Sequence, residues 1–184
     1  MFYIFLADGF EEIEALCPYD LLLRAGIPTK TVSINETTLV TGTHGIKVHA
    51  DITLSEMEEE FEGIMLPGGL PGATNLYDDE RVINLLYSFA AENKITAAIC
   101  AAPMVLDKAG LLENRSFTMY PAEDLYKYLR DNKRPQSDLV VVDGKVITGK
   151  GPGATFKFAA AIAEALQVSP ETVKNVLSGM FVNC

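Results

Sequence analysis

Short apolar runs alternate with segments of helical periodicity along the chain. Residues 2–7, 29–34 and 63–67 are apolar or β-branched runs with the length of buried strands. Residues 11–25 carry apolar side chains at roughly helical spacing, with Pro18 forcing a kink or a fresh start of the helix. Strands that alternate with helices predict an α/β fold, in which helices cover both faces of a mostly parallel sheet.

Three further patterns add detail to this outline. Polar turn residues separate residues 39–40 from residues 45–52 and predict a hairpin. The acidic run 56–62 indicates the solvated face of a helix, and residues 81–91 have the pattern of a strongly amphipathic helix. The other predicted elements are a strand at 116–119, a short helix at 122–129, a polar loop at 131–137, a hairpin of 139–142 and 146–148 around Asp143-Gly144, a helix at 155–166 and a last helix from residue 169.

The stretch ITAAICAAPM, residues 95–104, places a cysteine between a strand and a helix. Its apolar run ends at Cys100, and an early proline indicates a helix starting directly behind it. Ala98 and Ala102 supply the small neighbours that a sharp strand-to-helix turn requires, so the sequence predicts a nucleophile elbow at Cys100. A helix start favours the thiolate. Two interpretations stand at this point, a reactive thiol and a buried structural cysteine.

Several segments should meet this elbow, because ligands of open α/β sheets bind beyond the carboxyl ends of the strands. Glu14 lies among apolar residues of the first helix, and it can assist a thiolate only as a protonated donor. An exposed helix glutamate is the alternative. The backbone N–H groups of Gly69 and Ala101 could form an oxyanion hole, although a glycine pair also marks an ordinary tight turn.

Composition narrows the choice of function. The 184 residues suit one domain, residues 1–184, and the net charge of −10 gives no support to nucleic-acid or membrane binding. The odd number of widely spaced cysteines, Cys17, Cys100 and Cys184, argues against a disulfide framework. With no export signal visible in the first residues, the sequence favours a cytoplasmic protein.

Common cofactor motifs are missing from the sequence. The glycine-rich stretch 149–153 lacks the Gly-Lys-Ser/Thr of a phosphate-binding loop, and no G-x-G-x-x-G is present. His44 and His49 would lie on opposite faces of a strand, and no cysteine is near them in sequence. We therefore expect no nucleotide, metal or other cofactor.

Five stretches in this order resemble the ThiJ/PfpI superfamily, in particular its branch of the Parkinson-disease-associated protein deglycase. They are LADGFEEIEA, CPYDLLLRAG, IMLPGG with GATNL, AAICAAP and GKGPGATFKFA, and together they span nearly the whole chain. The resemblance implies a flavodoxin-like three-layer sandwich, a homodimer, and a site made of Glu14, Gly69, Cys100 and Ala101.

Two positions refine the comparison with that superfamily. Peptidase-like members carry a histidine directly after the nucleophile, where this chain has Ala101, so a peptidase is disfavoured. Deglycase-like members commonly have a histidine where this chain has Tyr120, which puts hydrolytic activity in doubt. Tyr120 and Arg24 are the accessory residues of the predicted site.

Two functions from different classes follow from the resemblance. The first is a cofactor-independent glyoxalase or deglycase, which acts on methylglyoxal or a glycated protein through the Cys100 thiolate. The second is a redox sensor or stress-responsive chaperone in which Cys100 oxidises to a sulfinate held by Glu14. Production of lactate from methylglyoxal distinguishes them.

Overall fold

A computed structural model describes residues 1–58, 60–92 and 94–182 of the chain. Within these residues, seven strands form one sheet in the order β5-β2-β1-β6-β7-β9-β8, and two more form a separate hairpin. The strands are β1 (Phe2–Leu6), β2 (Thr29–Ser33), β3 (Leu39–Thr41), β4 (Lys47–His49), β5 (Ile52–Thr53), β6 (Gly63–Leu66), β7 (Ile95–Ile99), β8 (Val140–Asp143) and β9 (Val146–Gly149).

The sheet is parallel except at one edge. β1 pairs with β2 and β6, and β7 pairs with β6 and β9, all in parallel register. Among the described strands of this sheet, only β8, joined to β9 by the predicted turn after Asp143, runs antiparallel. The carboxyl ends of β1, β6 and β7 therefore lie side by side at one end of the sheet.

Helices cover both faces of the sheet. They are α1 (Glu12–Arg24), α2 (Gly72–Asp78), α3 (Glu80–Glu92), α4 (Pro103–Lys108), α5 (Glu123–Tyr126), α6 (Thr155–Ala165) and α7 (Pro170–Gly179). Two apolar clusters fill the spaces between layers, one under α2, α3 and α4 and one under α1, α6 and α7. Strand side chains alternate between the clusters: Tyr3 and Phe5 belong to the first, Phe2 and Ile4 to the second. This is the α/β three-layer sandwich that the sequence predicts.

Some elements differ from the predictions. The acidic run 56–62 is not a helix, because its described part holds only the end of a short 3-10 turn (Leu54–Glu56). Residues 45–52 divide between β4 and β5, and β5 joins the main sheet beside β2. The predicted strand at 116–119 is reduced to a single bridge from Thr118 to Gln136.

Two helices also differ from the predictions. α1 continues through Pro18 without a fresh start. α2 was not predicted, since its short polar sequence carries no clear periodicity. None of the helices that the structure describes is long and apolar enough to cross a membrane.

Candidate active site

Cys100 occupies the sharp turn that follows β7. Its φ angle is 63°, in the left-handed region that residues with a Cβ rarely adopt. The backbone is fixed on both sides, because the Cys100 N–H donates to the carbonyl of Gly149 (2.9 Å) and the Cys100 carbonyl accepts from the N–H of Tyr120 (2.9 Å). The turn therefore presents a half-buried thiol at the carboxyl end of the sheet, as a nucleophile elbow does.

The helix behind the elbow begins later than predicted. Ala101 and Ala102 form a turn, and α4 starts only at Pro103 and is six residues long. The thiol therefore does not lie on the first turn of a helix. This geometry therefore does not provide the stabilisation of the Cys100 thiolate that a helix start was expected to give.

Glu14 lies in the first part of α1 and is completely buried, so the interpretation as an exposed helix glutamate is wrong. The N–H of Gly68 donates to Glu14 Oε2 (2.9 Å), while Oε1 has no hydrogen-bond partner among the described residues. A Cβ at Gly68 would lie 2.6 Å from Glu14 Oε2 and 2.7 Å from Cys100 Cβ. The absence of a side chain at Gly68 thus lets carboxyl and thiol approach each other.

The thiol and the carboxyl compete for one negative charge. The pKa of Glu14 is raised from 4.5 to about 7, mainly because the carboxyl is buried; a hydrogen bond with Cys100 opposes this shift. The pKa of the Cys100 thiol is raised as well, first by burial and then by the charge of Glu14. Easy ionisation of the thiol beside a charged Glu14 is therefore excluded by this geometry, and a thiolate requires a protonated Glu14.

Two backbone N–H groups favour an anion at the sulfur. Those of Ala101 and Gly69 both act on the Cys100 thiol as hydrogen-bond donors, and they lower its pKa against the larger effects of burial and Glu14. Gly69 has a φ angle of 86° and packs against the backbone of Phe10 and Glu11, which leaves no room for a side chain. The structure thus brings together the four predicted residues Glu14, Gly69, Cys100 and Ala101.

The two accessory residues lie differently. The backbone N–H of Tyr120 donates to the Cys100 carbonyl; the residue is 47% exposed, and its ring lies beside Gly151. Arg24 lies in the last turn of α1, where it pairs with Asp20 on the surface (2.9 Å). With a rise of about 1.5 Å per residue, it is ~15 Å along the helix from Glu14. Within one chain, Arg24 is not brought to the site.

A pair beside the site was missed by sequence reasoning. Glu12 accepts the backbone N–H of His44 (2.8 Å) and its other carboxylate oxygen lies 2.6 Å from His44 Nδ1. This attaches the loop between β3 and β4 to the start of α1. Nothing in the sequence links two residues 32 positions apart, so no local pattern could have shown the contact.

Glu11, Glu12 and His44 are the one set of three grouped metal-ligand types found in the described part of the chain, with ligand atoms within 4.8 Å of one another. Both oxygens of Glu12 are already engaged by His44, and Glu11 accepts the backbone N–H of Glu14 (2.8 Å). We assign no metal to these residues. The expectation of a protein without a metal stays a prediction.

Of the two other cysteines, the structure describes one. Cys17 is half-buried in α1, and its thiol pKa is raised mainly by burial, with Thr155 as a hydrogen-bond partner acting in the opposite direction. Cys184 lies outside the described residues. Among the described cysteines, Cys100 alone combines a left-handed turn, a buried carboxyl and two N–H donors.

Comparison with known proteins gives a consistent result. The model of the DJ-1/PfpI family matches residues 2–165. Protein dj-1beta of Drosophila melanogaster is 35% identical over 185 residues, covering 97% of this chain and 95% of that protein. The glutathione-independent glyoxalase DJR-1.2 of Caenorhabditis elegans is 34% identical over 176 residues, covering 92% and 89%.

Solved structures show the same fold. The crystal structure of Drosophila melanogaster DJ-1beta superposes with a TM-score of 0.92 at 35% identity, covering 100% of this chain and 98% of that one. The structure of oxidized DJ-1 from Toxoplasma gondii gives a TM-score of 0.90 at 31% identity, with the same coverage. The flavodoxin-like architecture expected from the sequence is confirmed.

Proposed function

The chain belongs to the DJ-1/PfpI family, and from that premise we propose that it is a cofactor-independent glyoxalase or protein deglycase whose nucleophile is Cys100. Its substrate is methylglyoxal or an early adduct of this aldehyde on a protein. The observation that carries the proposal is the convergence of thiol, buried carboxyl and two N–H donors. The similarity to a relative named as a glutathione-independent glyoxalase supports it.

The proposed reaction begins with one anion and one proton in the Cys100–Glu14 pair. The thiolate adds to the aldehyde carbon, and the resulting alkoxide accepts hydrogen bonds from Gly69 and Ala101 before it is protonated. Glu14, now ionised, takes the proton from the former aldehyde carbon, which gives an enediol, and returns it to the neighbouring carbon. The hydroxyl proton of the hemithioacetal passes to the oxygen of that neighbouring carbon, so the product is the thioester of lactate. Water then releases lactate, or glycolate from glyoxal, and restores the thiol.

A carboxyl with a pKa of about 7 is suited to this exchange, since it is part protonated and part ionised at neutral pH. Tyr120 offers a phenol where deglycase-like proteins have an imidazole. An imidazole exchanges protons readily near neutral pH, which a phenol does not. We therefore propose slow hydrolysis of the thioester in this chain.

Lactate formed from methylglyoxal tests this proposal directly. The wild type should produce lactate, Cys100→Ser and Glu14→Gln should lose most of the activity, and Cys17→Ser should retain it as the matched cysteine control. Tyr120→His should increase turnover. Equal activity of wild type and Cys100→Ser would remove the nucleophile from the mechanism.

The alternative is a cysteine-based sensor of oxidative stress or a chaperone without robust catalysis. The same N–H donors and a protonated Glu14 can hold a sulfinate, which forms when the thiolate consumes two molecules of peroxide and releases two of water. The unpartnered Oε1 of Glu14 is the atom available to donate to it. Absence of lactate together with a stable sulfinate at Cys100 on mass spectrometry would favour this function.

We further propose that the protein is a homodimer in the cytoplasm. Ile13, Leu16 and Leu23 share one face of α1 and are 45%, 37% and 44% exposed, an apolar surface that a second copy could cover. The free thiols Cys17 and Cys100 suit a reducing compartment. Leu23→Glu should halve the mass measured by light scattering, whereas Tyr87→Glu, at an exposed position of α3, should leave it unchanged.

A further inference from the structure

Three hydrogen bonds, each donated by a backbone N–H, join Glu11, Gly68 and Glu14 in a closed ring. The N–H of Glu11 donates to the Gly68 carbonyl (3.0 Å), and the N–H of Gly68 donates to Glu14 Oε2 (2.9 Å). The ring closes where the N–H of Glu14 donates to Glu11 Oε2 (2.8 Å). Each residue is thus a donor to one member and an acceptor from the other.

This ring fixes the position of the Glu14 carboxyl relative to the elbow. Gly68 is the member that touches Cys100, because a Cβ there would meet both the thiol's Cβ and the N–H of Ala101. Glu11 is the N-cap of α1, so its side chain also satisfies an N–H at the helix start. Loss of the Glu11 side chain would therefore free the N–H of Glu14 and open the ring there, while both hydrogen bonds to Gly68 remain.

The charge of Glu11 acts unequally on the two groups of the site. Its carboxylate is bound to the backbone of Glu14, and its negative charge raises the pKa of that carboxyl. Glu14 itself is the charged group that acts on the Cys100 thiol. The other charged groups beside this turn are Glu12 and His44, whose charges compensate each other when the imidazole is protonated. The charge of Glu11 also helps to raise the pKa of His44, but it is the Glu11 carboxylate that is hydrogen-bonded to the backbone of Glu14.

We propose that Glu11 is a positioning residue: the ring holds the Glu14 carboxyl against Cys100, and the charge of Glu11 keeps the shared proton on Glu14 and the negative charge on the sulfur. Glu11 does not touch the substrate. The inference rests on the proposed function in taking the Cys100 thiolate as the reacting group.

A pair of substitutions at position 11 separates charge from capping. Aspartate and serine are both good N-caps of similar size, so Glu11→Asp keeps charge and cap, while Glu11→Ser keeps only the cap. The thiolate is measured by its ultraviolet absorbance and by the rate of alkylation across pH, in protein that carries Cys17→Ser and Cys184→Ser and so retains Cys100 as its one cysteine. Glu12→Gln removes a charge one residue further along as a control, and thermal unfolding monitors the fold of each variant.

At neutral pH we expect Glu11→Ser to reduce the thiolate about threefold, as for a screened charge worth ~0.5 pKa unit, and Glu11→Asp to stay near wild type. In a Glu14→Gln background the serine substitution should have no effect on the thiolate, because the charge then has no carboxyl to act on. Equal thiolate in the Asp and Ser variants, or the same reduction with and without Glu14, would overturn the proposal. Thiolate content is read without turnover, so failure to make lactate would refute the proposed function and not this inference.

Discussion

The raised pKa of Glu14 predicts that the stability of the protein falls as the pH rises through the neutral range. The folded state holds the Glu14 proton up to about pH 7, whereas an unfolded chain releases it near the ordinary value of 4.5. Between these values the folded state binds more protons, so each increase in pH favours unfolding. The contribution of the group is fully present below 4.5 and is lost as the pH approaches and passes 7.

The size of this effect follows from the shift. A rise from 4.5 to about 7, at about 1.4 kcal/mol per pKa unit, corresponds to ~3 kcal/mol over the whole range. Between about pH 5 and about pH 8, ~2–3 kcal/mol of this difference should be observable. This free-energy difference is the same whether the negative charge lies on the Glu14 carboxyl or on the Cys100 sulfur, because the folded pair loses one proton in either case.

Urea denaturation of the wild type and of Glu14→Gln at several pH values measures the effect. The free energy of unfolding of the wild type should fall relative to the variant by the amount given above, with other titrating groups such as His44 cancelling in the difference. Glutamine retains an oxygen for the N–H of Gly68, so the ring can persist. A difference that stays constant across this pH range would show that Glu14 titrates normally, and the electrostatic account of the site would fail.

Three further outcomes follow from the same contacts. Brief substoichiometric alkylation, read by mass spectrometry, should label Cys100 before Cys17 or Cys184, and preferential labelling of Cys184 would contradict the assignment of the nucleophile. Gly68→Ala should lower the free energy of unfolding by about 1–3 kcal/mol and slow alkylation, because the new Cβ meets backbone as well as side chains; unchanged reactivity would show that the elbow tolerates it. Glu12 raises the pKa of His44, so the stability from this pair should be present below the ordinary pKa of 6.5 and lost as the pH rises through the higher folded value. Unfolding of His44→Ala at several pH values should lack this dependence, whereas His49→Ala should keep it.

Much of the fold could be predicted because the buried strands have strong local patterns. β1, β6 and β7 are apolar over nearly their whole length, and β2 is rich in β-branched residues. The turn after Asp143 identifies a hairpin without any knowledge of tertiary contacts. The run 56–62 imitates a helix, because its acidic residues alternate with Met57 and Phe61 at i, i+4 spacing, yet both apolar side chains pack against the core from a segment without described helix after Glu56. α2 was missed because tertiary contacts of Ala73 and Leu76, not periodicity, stabilise its seven residues.

The residues of the site could be predicted from the sequence, but the pKa shifts within the site could not. Cys100 is visible as an elbow because strand, turn and small neighbours are adjacent in sequence. The burial of Glu14 depends on a loop 54 residues away, where Gly68 leaves space for the carboxyl. The proximity of carboxyl and thiol, which sets both pKa values, therefore appears only in three dimensions.

The left-handed backbone at position 100 restricts which nucleophile the elbow could carry. Glycine would adopt this φ angle with the least strain, so any reactive side chain there costs the fold about 1–2 kcal/mol. Serine, unbranched at Cβ, should be tolerated as well as cysteine is, while the second Cβ substituent of threonine would add to the strain. An alcohol introduced at this turn to convert thiol chemistry into hydroxyl chemistry would thus have to be primary, and the backbone itself selects between two otherwise similar hydroxyl groups.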